Sequence, residues 1–431
     1  MAEKWKFNTR YDLYTQITHE GEEIPPDPKG TLFESGTGLH DLSGVRLLSA
    51  TIDTVKQLYH GKLKTKWMNR IVEAIENRVE FFSEGPVGPW HISGMGSRSG
   101  YRYKLQNNEK GLTILVKRFH AKVEDADTHI KIEVSPHRIR DQESVNNGVS
   151  SGLLQRDMDS IAKWLMEYPK PQGVAVHMAV DVQGWEPNKD FLDKFVTRTR
   201  AKRDFRGIQS VEFDGLSEVA AIYGDNETFM FGKASAMQMS IYRKDKEIIK
   251  HDKVDYFHRV WKEDSGGWFD PEKFVWRIEL RLVHGIMREI GEGLGKEIES
   301  FEQAKPFLTD IWKYGLDRNR LMSTARYIDP FWQLIMEDVV YKRPAKGVVV
   351  RRVKKKDMSN AGRNVAMMIG NIVTLGARRQ MKALEIVEML EGMAIYSDIT
   401  DYLDSKGLHH THLLTMIERG VKLRRLLGKV A

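Results

Sequence analysis

The chain has 431 residues, 41% of them hydrophobic and 29% charged, with no cysteine and a net charge of +7. That length calls for two or three domains of ~100–200 residues. The absence of cysteine excludes disulfides, thiolate metal centres and a cysteine nucleophile, and fits a reducing cytosol. No apolar run approaches the ~20 residues that span a bilayer, and MAEKWKFNTR lacks the apolar stretch of a secretion signal. Residues 301–431 hold 23 Lys+Arg against 14 Asp+Glu, which leaves 44 against 46 for the first 300. A near-neutral body with a basic C-terminal third predicts a localised surface for a polyanion.

Residues 1–43, with EEIPPDPKG and ESGTG, read as a loose N-terminal arm. VRLLSATIDTV, from Val45, is a β-type run holding one acid, Asp53. The spacing of Trp67, Met68, Ile71, Val72, Ile75 and Val79 predicts a helix. YRYKLQ and LTILVKRFHA flank NNEKG as a hairpin, and HIKIEVSPH is a further strand. Leu153 to Glu167 reads as a helix and VAVHMAVDVQGW as the most strand-like run. Asn188 is placed to cap a helix through Phe191, Leu192, Phe195 and Val196 that ends in the basic RTRAKR. Strands are expected near 227–232, 238–244 and 274–283, and mostly helix over 287–336. YKRPAKGVVVRRVKKKD reads as a basic linker or ribbon, 360–394 as a long helical region and 398–427 as two shorter helices. The expected fold is α+β, a central antiparallel sheet covered on one face and followed by a helical C-terminal domain. The expected boundaries are 1–43, 44–290, 291–341, 342–358 and 359–431.

Two local patterns carry less than they suggest. Gly94, Gly96 and Gly100 lead into YRYKL, a strand pattern, whereas a dinucleotide loop opens a helix. His409, His410 and His412 resemble a metal-gripping pair, but the sequence around Thr411 looks like a helix start rather than a strand. There is no Walker loop, HExxH or GxSxG motif.

The informative pattern is a period of two. His177, Ala179 and Asp181 share one face of their strand, as do Lys131, Glu133 and Ser135, then Arg277, Glu279 and Arg281, then Ser240, Tyr242 and Lys244. One sheet could therefore pair an apolar face with a face rich in acids, bases and tyrosine. Glu133, His177, Asp181 and Glu279 are oxygen and imidazole groups able to hold Mg²⁺ or Mn²⁺. Tyr242 offers a phenolate nucleophile, and Lys244, Arg277 and Arg281 could neutralise a phosphoryl transition state. This is the chemistry of phosphodiester cleavage.

TFMFGKASAMQMSIYRKDKEI followed by VWRIELRLVHG resembles the replication-initiation factors of the Rep_trans type, which act on rolling-circle plasmids, filamentous phages and integrated elements and are related to conjugative relaxases. Gly232, Ser235, Tyr242 and Lys244, then Trp276, Arg277, Glu279 and Arg281, carry the resemblance. LSATIDTV with Asp53, GYRYKL and HMAVDVQGW extend it from about Val45 to Gly285. His177 and Ser240 depart from it, standing where the family often has Asp and Arg. The resemblance implies a nuclease fold distantly related to the His-hydrophobe-His endonucleases over residues 44–290. It also implies a tyrosine that nicks one strand at an origin, leaving a 5′-phosphotyrosyl link and a free 3′-hydroxyl. Tyr223 and Tyr101 are other candidates for that tyrosine. Expected partners are single-stranded or cruciform origin DNA, a host helicase and further copies of the chain. A relaxase, a non-catalytic DNA-binding regulator and an RNA-binding protein are the competing readings. Phosphate contacts are expected from Arg198, Arg200, Lys202 and Arg203, and from Lys342, Arg343, Arg351, Arg352, Lys354, Lys355 and Lys356. The helical region 359–431 is expected to bind DNA or to oligomerise.

Overall fold

A computed structural model of the chain describes residues 5–11, 30–95, 101–117, 129–143, 153–197, 202–204, 228–233, 236–341, 345–353, 358–404 and 412–426. It divides into two compact units, Met1–Val353 and Lys354–Ala431.

The first unit opens with a three-stranded sheet of β1 (Thr9–Tyr11), β2 (Leu32–Ser35) and β3 (Gly38–Asp41). The long β4 (Arg46–Leu63) leads into α1 (Thr65–Glu76). Then come β5 (Phe81–Phe82), β6 (Trp90–Gly94), β7 (Tyr103–Asn107), β8 (Leu112–Lys117) and β9 (His129–Val134). Helices α2 (Pro136–Glu143) and α3 (Leu153–Leu165) precede the equally long β10 (Met166–Gln183). After α4 (Phe191–Lys194) come β11 (Phe195–Thr197), β12 (Lys202–Asp204), β13 (Thr228–Gly232) and β14 (Met237–Arg243). Helices α5 (Lys244–Lys250) and α6 (Val254–Asp264) lead to β15 (Trp276–Leu282). The unit closes with α7 (His284–Leu294), α8 (Phe301–Ala304), α9 (Leu308–Arg318), β16 (Asn319–Leu321) and α10 (Pro330–Asp338).

Eleven strands form one antiparallel sheet in the order β12-β13-β14-β15-β10-β4-β9-β8-β7-β6-β5. β10 and β4 run together along its middle. The register puts Val176, Met178 and Val180 of β10 beside Leu282, Leu280 and Ile278 of β15, all fully buried. These residues, with Met239 and Ile241 of β14, form the apolar face. Helices α3, α7, α8, α9 and α10 cover it with Ile161, Met287, Phe301, Trp312 and Trp332. Burying a side chain of this size is worth ~1.5–3 kcal/mol, so this face supplies most of the unit's cohesion. The fold is thus mixed α+β with a large antiparallel sheet, and several C-terminal helices follow it.

The structure differs from the expectations in several places. The stretch taken as a loose arm is anchored where it is described. Asn8 Nδ2 donates to Ile328 O (2.9 Å), its backbone N–H reaches Gln333 (2.8 Å), and Phe33 is fully buried. The opposite face of the sheet is not bare either: α5 and α6 place Ile248, Phe257 and Trp261 with Leu48 and Val275 in a second cluster there. The helix expected after Asn188 is a single turn, α4, because the chain turns into β11 at Phe195, where the backbone is extended (φ −89°, ψ 110°). Residues 345–353 are no paired ribbon. Their hydrogen bonds go to helices instead, from Lys346 and Gly347 N–H to Asp310 (2.8 and 3.0 Å) and from Arg352 to Glu289 (2.6 Å).

The second unit contains α11 (Met358–Arg378), α12 (Ala383–Glu391), α13 (Tyr396–Asp404) and α14 (His412–Leu426), so the long helical region is broken at 379–382. Val373, Ala377, Ile386, Leu390, Ile399, Leu403, Leu413 and Ile417 form its core. Arg424 lies over α11, its Nε donating to Thr374 Oγ1 at 2.8 Å.

Candidate metal centre

The polar face expected from the two-residue period is assembled by β14, β15, β10 and β4. Across β14 and β15, Tyr242 lies opposite Arg277, Ser240 opposite Glu279 and Gln238 opposite Arg281. Across β15 and β10, Arg277 lies opposite Asp181, Glu279 opposite Ala179 and Arg281 opposite His177. Ala179 is the small residue at the centre, leaving space over which longer neighbours meet.

β4 adds a residue that the period does not predict. Thr54 pairs with His177, but Ile52 pairs with Met178, so Asp53 is the extra residue of a β-bulge. The bulge lets Ile52 and Val55, three apart, both face the core while Asp53 joins Thr54 on the polar side. Ligand atoms of Asp53, His177 and Glu279 lie within 4.8 Å of one another, a donor set of two carboxylates and one imidazole that could hold a metal ion. The site lies in a cleft of about 420 Å³, which Tyr242, Lys244 and Arg281 also line.

The groups around it are tightly wired. The Tyr242 hydroxyl donates to Glu279 Oε2 (3.1 Å), and Glu279 Oε1 faces His177 Nδ1 (3.6 Å). Arg281 clamps the same carboxylate through Nε (2.8 Å) and Nη2 (3.1 Å). Arg277 donates to both oxygens of Asp181 (2.6 and 2.7 Å) and to Asp53 Oδ1 (2.5 Å). Trp261 Nε1 donates to Asp181 Oδ2 (2.8 Å). Lys244 is buried, ion-paired with Glu247, its ammonium 5.9 Å from the Tyr242 ring centroid. Burial raises the Asp53 pKa, but the cations Arg277 and Lys244 outweigh it and hold the carboxyl below its ordinary range. Burial, reinforced by Glu279, pushes the Tyr242 phenol well above its ordinary value. Burial and the charge of Arg277 lower the Lys244 pKa, against the pull of Glu247. Next to Glu279, the Ser240 hydroxyl and both amide atoms of Gln238 are buried without a hydrogen-bond partner among the described residues.

The structure brings Tyr242, Lys244, Arg277, Arg281, His177 and Glu279 together. The other two expected ligands stand beside this group but outside the three-residue donor set. Asp181 has both oxygens taken by Arg277, one of them also by Trp261, so it orients the arginine, and Asp53 is the third member of the group that could hold a metal ion. Glu133 lines the same cleft from β9 but pairs with Lys131 (2.7 Å) and is no member of the three-residue group. The interrupted alternation between Ile52 and Val55 was the sequence signal for Asp53.

Of the expected phosphate contacts, Lys202 and Arg203 lie on β12, at the edge of the large sheet, and Arg351 is exposed. Arg352 is held by Glu289. Arg198, Arg200, Lys342, Arg343, Lys354, Lys355 and Lys356 lie outside the described residues, as do Tyr223, Gly96, Gly100, Ser235, His409 and His410. His412 begins α14. No helix among the described residues is long and apolar enough to cross a membrane.

No protein-family profile matches the chain. It is similar to the uncharacterized protein ORF430 of Pseudomonas phage Pf1, at 35% identity over 410 residues that cover 91% of this chain and 92% of the phage protein.

Proposed function

The chain belongs to the family of ORF430 of Pseudomonas phage Pf1, and we propose that this member is a site-specific DNA endonuclease and strand transferase that initiates rolling-circle replication. The observation that carries the proposal is the hydrogen bond from the Tyr242 hydroxyl to Glu279, itself one of three convergent metal-ligand groups. A nucleophile, a candidate metal centre and three cations around one cleft are the parts that phosphodiester transfer needs. The sequence resemblance to Rep_trans factors supports the same reading, including a nuclease fold distantly related to the His-hydrophobe-His endonucleases.

In this reading Asp53, His177 and Glu279 would hold Mg²⁺ or Mn²⁺, which when bound would supply Lewis-acid polarisation of the scissile phosphate. Glu279 Oε2 is positioned to accept the phenolic proton. The Tyr242 oxygen then attacks phosphorus and the bond to the 3′ oxygen breaks; the leaving oxygen takes up the proton that Glu279 accepted, giving a 5′-phosphotyrosyl link and a free 3′-hydroxyl. Arg281, which lines the cleft while holding Glu279, would meet the charge developing on the phosphoryl oxygens. Arg277, fixed by Asp181, keeps Asp53 ionised and oriented.

The test is covalent trapping of the intact protein on single-stranded oligonucleotides spanning its own origin, with Mn²⁺ present. A labelled protein–DNA adduct is expected, and it should vanish with chelator and with Tyr242→Phe. An undiminished adduct in Tyr242→Phe would remove Tyr242 from its role. Metal-independent binding with no nick in any supercoiled plasmid bearing that origin would replace the enzyme by a DNA-binding regulator.

A further inference from the structure

The cleft has two chemically distinct ends. One end carries Asp53, Glu279, Arg281 and Lys244; the other is lined by the amides of Gln106 and Asn108, the hydroxyls of Thr113 and Ser135 and the ring of His137, with Glu133 between them opposite Thr113. The register joins them step by step: Lys56 on β4 lies opposite Glu133 on β9, Glu133 opposite Thr113 on β8, and Thr113 opposite Gln106 on β7. Three strand spacings of ~4.8 Å separate β4 from β7. A volume of about 420 Å³ is within the ~300–1,000 Å³ range of small-molecule sites. A ligand that fits such a cleft has a charged phosphoryl group at one end and a neutral, hydrogen-bonding ring at the other.

The neutral end is built, not incidental. Gln106 Nε2 donates to Asn108 Oδ1 (2.5 Å). Whichever way the two amides are turned, this bond leaves one carbonyl oxygen and one NH₂ group of the pair outside it, an acceptor and a donor. These are the groups with which side-chain amides hydrogen-bond the edges of nucleobases. Beside it, the His137 ring is fixed at both nitrogens, Nδ1 by Ser135 Oγ (3.0 Å) and Nε2 by the carbonyl of Glu109 (3.2 Å). That ring packs edge-on against Tyr256, with centroids 6.2 Å apart. Gly111 makes the seat possible. Its φ is +63°, and a Cβ there would stand 2.0 Å from Ser135 Oγ and 2.6 Å from the His137 ring. A ring pinned in this way is a preordered surface against which a base can stack.

We propose that this end of the cleft is a nucleobase-recognition site. The Gln106–Asn108 amide pair, with the fixed His137 ring beside it, reads the base of a nucleotide adjoining the phosphate that Tyr242 attacks. The assignment rests on the nicking reading for its account of what occupies the charged end. It gives the protein a source of base specificity within its first unit.

The experiment uses the full chain and a randomised single-stranded 20-mer DNA pool in Mn²⁺, sequencing the bound fraction. The Gln106→Ala/Asn108→Ala variant is compared with wild type, and its melting temperature checks that it folds. Wild type should show a base preference of about tenfold or more at one position, as expected for a good two-bond contact, and the variant should flatten it. His137→Ala should weaken binding to the preferred sequence without changing which base is preferred. An unchanged preference in the folded double variant would overturn the base site while leaving adduct formation, and so the nicking reading, intact. A flattened preference in a protein that forms no adduct would support the base site and count against nicking. Failure of wild type to bind the pool at all would overturn the base site.

Discussion

Asp181 shows how a residue's chemistry is decided by its neighbours rather than by its type. Its face was legible from the alternation in VHMAVD, but its role depended on Trp261 and Arg277, far away in sequence, which take up both of its oxygens. Asp181→Ala leaves the Arg277 guanidinium, buried to 1% exposure, short of a partner, so a loss of about 3–5 kcal/mol is expected in denaturant unfolding. Asp53→Asn keeps the bulge and most of the packing. It removes the charge that faces buried Arg277, so a stability loss is expected as for Asp181→Ala, and it should abolish the rise in melting temperature that Mn²⁺ is expected to give wild type, ~2.7 kcal/mol at a hundredfold excess over Kd. Tyr101 and Tyr256 make a separate prediction, because burial holds both phenols up to about 12. Between pH 10 and 12 the folded chain keeps protons that the unfolded chain gives up, so stability is full below pH 10 and falls through that window. Tyr101→Phe should make the fall shallower in alkaline melts.

At the level of elements, the strands that carry the site were legible, and the helices that fold over its polar face were not. Strands β9, β10, β14 and β15 each announced themselves by alternation or by an apolar run, since the two-residue period is a local property. That α5 and α6 fold back onto the polar face is a long-range outcome, carried by Phe257 and Trp261 meeting Leu48 and Val275. The same contacts bury Arg277 and Lys244, turning what would be a solvated sheet face into a lined cleft. The packing of α9 is equally non-local: Gly315 sits so close to β15 that a Cβ would stand 2.2 Å from Leu280 Cδ2. Gly315→Ala should cost about 1–3 kcal/mol through overpacking, despite alanine's better helix propensity. A neutral or stabilising effect in thermal melts would contradict this close approach.

On the scale of the whole chain, the apolar core of the first unit runs from Ile52 to Val350 without a break between the expected domains 44–290 and 291–341. The helical extension belongs to the sheet's own core because Trp312 and Trp332 have nowhere else to be buried. The second unit has a separate apolar cluster. A chain ending at Val353 should therefore keep a cooperative melt and the Mn²⁺ response. It should also show a shallower dependence of DNA affinity on salt, since removing 354–431 removes thirteen Lys and Arg. An unchanged salt slope would show that the Lys and Arg of the second unit are not used on DNA.

The bulge in β4 has an unusual genetic consequence. Removing Asp53 altogether would leave Thr54 opposite His177 and Ile52 opposite Met178, now as neighbours in an unbroken ladder, with Ile52 and Val55 still inward. A chain one residue shorter should thus keep its strand pairing while losing the Arg277–Asp53 ion pair and one of the three candidate ligand groups. Asp53 is a single position that the strand ladder does not require, so in-frame loss of one codon should separate strand pairing from the candidate site more cleanly than a substitution.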